Sequence, residues 1–189
     1  RGTLEAKRRS GDLSKDVFRR RDAVLALQEA RVVMEAGSSI EAREAAIAAN
    51  KLSPDLVPAA AMAGRSLALA GDAKGAARVL KKAWEAQPHP DLAAAFAEIL
   101  PEETPTQRLK RFLLLIEARP DHTESKLLKT ELMIAAEDFP GARRALGDLP
   151  ETAPTGRVMA LRAAIARGEG ADEAEVRGWM ARALTAPRG

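Results

Sequence analysis

VPAAAMAGRSLALAGDAKGAARVLKKAWEAQPHP, residues 57–90, is the stretch from which the whole chain is read. Two alanine-rich runs meet at Gly71-Asp72, and the second ends at Pro88. Glycine followed by aspartate stops one helix and caps the next, and proline cannot continue a helix. Small residues stand at Ala60, Ala63 and Gly64 in the first run and at Ala76 and Ala83 in the second. Leu67 and Leu80 lie about one helical turn from them. Small side chains let paired helices touch, and larger ones fill the gaps between pairs. The stretch therefore predicts a helical hairpin. One hairpin cannot bury its apolar face alone, so it requires neighbours of the same kind.

Those neighbours are written in the prolines. Pro54, Pro88, Pro120 and Pro154 are spaced by 34, 32 and 34 residues. An acid follows three of them closely (Asp55, Asp91 and Asp121), as expected for a helix stop and an aspartate cap on the next helix. Thr155 keeps a capping hydroxyl at the fourth. A period of about 34 residues is that of the tetratricopeptide repeat. Its small positions are matched by Ala60-x2-Ala63-Gly64-x2-Leu67, then Ala76-x3-Leu80, Ala83 and Pro88, although alanine and leucine replace its usual aromatics. The units expected are 22–54, 55–90, 91–120, 121–154 and 155–186, with residues 1–21 as the tail of an earlier unit and its connection. In the first, Leu27, Ala30 and Met34 share a face before the stop at Gly37, and Ala42, Ala46 and Ala49 line the partner helix. In the third, the run from Asp91 stops at Pro101 and resumes after "PEETPT" with Leu109, Phe112, Leu115 and Ile116. In the fourth, Asp138, Ala142 and Leu146 stand where Asp72, Ala76 and Leu80 stand earlier, and Pro140 falls in a first turn. The fold expected is all-α: a right-handed α-α superhelix, or solenoid, of stacked hairpins in a single array, with a concave groove lined by each unit's first helix.

Composition agrees with helices. Forty of the 189 residues are alanine, aromatics are 3%, and β-branched runs of strand length are missing. Without cysteine, disulfides, thiolate nucleophiles and cysteine zinc sites are excluded within this span. No apolar run reaches the roughly 18 residues that mark a membrane span, and no secretory signal opens the chain. It begins at Arg1 rather than Met, which suggests a piece of something longer, with any anchor or signal outside it. The net charge of +3 is uneven: residues 1–21 hold eight Lys or Arg against three acids, in "KRR" at Lys7–Arg9 and "RRR" at Arg19–Arg21. Such runs are solvated helix faces or patches for an anionic partner. With no tyrosine and few other aromatics, the stacking surface of single-strand binders is absent, so nucleic acid is not the expected partner.

No nucleotide loop, zincin or nucleophile-elbow motif occurs, so no enzyme is expected. "GEGADE", 168–173, links two helices with no strand before it. The two histidines, His89 and His122, each follow a repeat proline. They are read as corner residues that cap a helix or meet solvent. On adjacent helix layers, roughly 10 Å apart, they are too distant to share one small metal ion. Should haem bind, they are the first suspects. Met34, Met62, Met133, Met159 and Met180 are expected to fill gaps, and Trp84 and Trp179 to wedge the core. The groove is the expected working surface. Arg31 and Arg65 fall at equivalent positions of successive first helices, with Leu27, Ala61 and Leu69 beside them and Glu131 at the same place in the fourth unit. Arginine recognises carboxylates through two parallel hydrogen bonds, so an acidic peptide or C-terminus is an expected guest.

Particular stretches also resemble the C-terminal repeat region of alphaproteobacterial HemY proteins. They are "PDLVPAA" at Pro54–Ala60, Ala83-Trp84, "PHPDLA" at Pro88–Ala93, "RLKR" at Arg108–Arg111, "PDHTES" at Pro120–Ser125, Ala142-Arg143 and "WMARAL" at Trp179–Leu184. The likeness covers most of residues 22–187 and includes no catalytic motif. It implies a non-catalytic, membrane-anchored accessory protein associated with haem (protoporphyrin) biosynthesis. Two N-terminal transmembrane helices outside this chain would hold the parent in the bacterial inner membrane, with the array on the cytoplasmic side. The implied partners are proteins, haem-pathway enzymes among them, and no cofactor is implied for the array. A haem or porphyrin carrier and a generic repeat adaptor are the alternatives.

Overall fold

The computed structural model describes residues 15–35 and 39–188, all helical or in connections among them. The chain divides into two compact units, one ending at Pro101 and the other beginning at Glu102. The division falls inside the third expected hairpin.

The first unit contains α1 (Lys15–Glu35), α2 (Ser39–Leu52), α3 (Val57–Leu69), α4 (Ala73–Ala86) and α5 (Pro90–Glu98). α1 pairs with α2 and α3 with α4; α3 lies against both members of the first pair, and α5 against both members of the second. This packing is consistent with a helical repeat. Alanine makes it possible. Ala59, Ala60, Ala63, Ala76 and Ala83 are fully buried, as are Leu80 and Trp84. A Cβ on Gly64 would stand 2.8 Å from Leu80 Cγ, so only glycine lets α3 and α4 meet at this distance. A second cluster joins Ala23, Ala26, Leu27, Ala49, Leu56 and Ala59. Its Ala49 and the buried Ala42 and Ala46 are the expected face of α2.

The second unit contains α6 (Pro105–Ile116), α7 (Thr123–Ala135), α8 (Phe139–Leu146), α9 (Leu149–Thr152), α10 (Gly156–Gly168) and α11 (Glu173–Thr185). α7 packs on α6 and pairs with α8; α10 lies against α7 and α8 and pairs with α11. Leu127, Ala142, Leu146, Leu149, Val158 and Ile165 form its core.

The turns repeat as well. Asp72, Asp138 and Asp172 each accept a backbone N–H three residues on, from Gly75, Gly141 and Glu175. The backbone N–H of Asp72 closes on Leu67 and that of Asp138 on Met133. Between helix and cap stand Gly71 at φ 83° and Glu137 at φ 60°, the left-handed position that ends the first helix of each pair.

Several expectations change. The first helix, expected from about Asp22, starts at Lys15, because nothing between the two residues breaks a helix. Asp55 caps nothing: it accepts from the Ser53 hydroxyl, and α3 begins without a side-chain cap. Asp91 and Asp121 are not caps either. His89 and His122 fill that role, because the cap is the residue just before the first helical one. The short α9 was not expected, since Pro150 reads as a breaker; the residue sits in its first turn, where proline is tolerated. Trp179 is no core wedge. It is partly exposed, between the guanidinium groups of Arg162 and Arg182 at 4.7 and 4.6 Å. Met159 is buried and Met62 and Met133 pack against core clusters, but Met180 is exposed and fills no gap. Lys7–Arg9, Gly37 and the side chains of Ala30 and Met34 lie outside the described residues. Among the described residues no helix is long and apolar enough to cross a membrane.

Candidate functional site

Residues 61, 65 and 69 of α3 lie four apart and therefore share one face. That face borders a depression of about 450 Å³ in the first unit. α1 contributes Arg31, α3 contributes Pro58, Ala61, Met62, Arg65 and Leu69, and α5 contributes Asp91 and Glu98. Arg31, Ala61, Arg65 and Leu69 all line it. Ala61 is buried at the base, and Leu69 is 82% exposed at the rim. Leu27 is 5% exposed and belongs to the core, where it has no surface to offer a guest.

The two arginines differ. Arg31 is exposed. Arg65 is occupied by a carboxylate of the chain itself: its Nε and Nη2 donate to the two oxygens of Glu98 at 2.8 and 3.2 Å. Glu98 was not anticipated. Its signal was an opposite charge 33 residues on, one repeat away, at the end of the next first helix.

Glu131 lies in the second unit and has a partner too. Arg157 of α10 reaches Glu131 and Glu124 of α7, at 2.9 and 2.8 Å. Burial opposes the charge on Arg157, yet the hydrogen bonds to Glu131 and Glu124 outweigh it and hold the guanidinium above its ordinary value. Consecutive first helices are therefore linked by an arginine–glutamate fork in each unit, with the polarity reversed.

The histidines serve the helix ends. Nδ1 of His89 accepts the backbone N–H of Asp91, and Nδ1 of His122 accepts that of Glu124, both at 3.1 Å. A neutral imidazole that accepts at Nδ1 carries its proton on Nε2. Binding iron through Nε2 would move that proton to Nδ1 and break the cap. The geometry favours capping over ligation. Among the described residues no group of three His, Asp or Glu side chains could hold a metal ion.

The basic run Arg19–Arg21 is exposed along α1. Arg20 pairs with Asp55 at 2.9 Å. The Asp55 carboxyl is held below its ordinary value, chiefly by the Ser53 hydroxyl and also by Arg20, against the opposing effect of burial. No protein-family model matches the chain, and no curated protein matches it closely.

Proposed function

We propose that the chain is a tetratricopeptide-like superhelical scaffold that binds a partner protein through the depression on α1, α3 and α5, and that it catalyses nothing. The observation that carries this reading is the convergence of Arg31, Arg65 and exposed Leu69 from successive first helices on one partly apolar hollow. Apolar surface with a few placed polar groups is how a groove holds a peptide. The reversed forks and the repeating caps support the repeat architecture. The sequence likeness at Pro54–Ala60, Pro88–Ala93 and Pro120–Ser125 supports a place in a HemY-type, membrane-anchored accessory protein of haem biosynthesis. Its mechanism is tethering, which raises the effective concentration of bound partners.

The test is a photo-crosslinking residue at Leu69 of the full-length parent in its native membrane, with one at exposed Glu151 as control. A haem-pathway enzyme trapped at Leu69 and not at Glu151 is the expected result. Equal trapping at both positions, or none at Leu69, would refute the reading.

A further inference from the structure

Resting on that reading, we propose that Glu98 gates the depression: its carboxylate holds Arg65 where the carboxylate of an acidic, aliphatic peptide docks, so that capture exchanges one carboxylate for another. Three observations carry this. The Arg65–Glu98 contact has the two-pronged geometry by which arginine recognises a free carboxylate, so Glu98 shows what the site selects. The pair is open to water, with side-chain exposures of 39% and 53%, and exposed pairs are weak enough to yield to a competitor. Beside it lies the exposed Arg31, and the lining adds Pro58, Met62 and Leu69 for an aliphatic side chain.

The fork of the second unit marks the difference between a gate and a fixture. There two carboxylates hold Arg157, and Glu124 is only 14% exposed on its side chain. At Arg65 one exposed carboxylate does the holding, so a guest can reach the guanidinium. Asp91, which also lines the hollow, lies 3.7 Å from His89 Nδ1 rather than on either arginine. A guest carboxylate that displaces Glu98 would engage Arg65 while its aliphatic neighbour covers Leu69, and Arg31 would attract the rest of its negative charge.

The experiment is fluorescence anisotropy with a fluorescein-labelled Gly-Ser-Glu-Leu-Glu peptide. It is measured as free acid, as C-terminal amide and as the amidated Gln-Leu-Gln analogue, on the wild-type chain and on Glu98→Gln, Arg65→Gln and the double variant. Circular dichroism confirms that each variant is folded. Glu98→Gln is expected to bind roughly fivefold more tightly than wild type. Arg65→Gln is expected to bind roughly tenfold more weakly, and Glu98→Gln is expected to add nothing in its presence. A loss on amidation alone assigns the exchange to a terminal carboxylate, and a loss only on Glu-to-Gln replacement in the peptide assigns it to side chains. Unchanged affinity in Glu98→Gln, with the loss in Arg65→Gln retained, overturns the gate and leaves the docking site standing. Equal binding of the neutral analogue, or no binding to wild type and Glu98→Gln alike, overturns both.

Discussion

Glu103 stands ahead of the first helix of the second unit and ties down its start. Its side chain is 7% exposed and accepts from Arg111 Nε at 2.8 Å and Arg108 Nε at 3.2 Å. The hydrogen bond from Arg111 lowers the Glu103 carboxyl from its usual 4.5, burial works against that, and Arg108 adds to it. A carboxyl lowered in the folded state contributes stability that is in force above 4.5 and is lost as pH falls through the lower folded value. Glu103→Gln keeps the shape and removes the charge, so it is expected to cost about 2 kcal/mol at neutral pH. The deficit should shrink toward zero in acid. Denaturant unfolding of both proteins at pH 7 and below pH 4 measures this; equal stability at pH 7 would show that the clasp contributes nothing. The sequence offered an acid and two arginines at separations of five and eight residues, a spacing that no helix rule pairs. Only the turn between α5 and α6 brings them together. Glu98 lies 33 residues from Arg65, and the repeat alone does not say which charges on successive first helices meet, whereas Arg31 and Arg65 stand out because their separation equals the repeat.

Helix ends were the most legible elements, and their exceptions are instructive. Asp72 and Asp138 cap α4 and α8 as their spacing to Ala76 and Ala142 required. The Thr104-x2-Gln107 spacing at α6 is that of a capping box, and both of its hydrogen bonds are made. At α5 and α7 both an acid and a histidine stand near the helix start; the first helical residues are Pro90 and Thr123, so His89 and His122 are the caps and Asp91 and Asp121 are not. His122→Ala is expected to destabilise the second unit by about 1 kcal/mol, and His122→Asn to restore most of that, since asparagine is a good cap. Thermal melts of the three proteins, together with haemin titration, distinguish a cap from a ligand. Haem ligation would require a Soret shift in wild type that both variants lose, and would leave Asn no better than Ala. Trp179 was misplaced for a different reason. A tryptophan among alanines reads as core, yet the guanidinium groups of Arg162 and Arg182 lie over its partly exposed ring.

At the scale of the molecule, neighbouring hairpins account for each unit's burial, and a repeat array is stabilised largely through nearest neighbours. Chains ending at Pro101 and beginning at Glu102 are therefore each expected to keep a helical circular dichroism spectrum and a cooperative melt. A fragment that is unfolded by itself would show that the division in packing is no division in stability. Local rules carried much of this molecule. Helix type, the caps at Asp72, Asp138 and Thr155, the burial of Ala60, Ala63, Leu80 and Trp84 and the shared face of Arg31 and Arg65 all follow from spacings within one or two repeats, because helical geometry is periodic and repetition carries one hairpin's solution into the next. What folding alone decided is which charges meet. Arg65 finds Glu98, Arg157 finds Glu124 and Glu131, and Leu27 turns inward. These depend on how far one helix slides along its neighbour, a displacement of a few ångströms set by side-chain packing and written in no single stretch of residues.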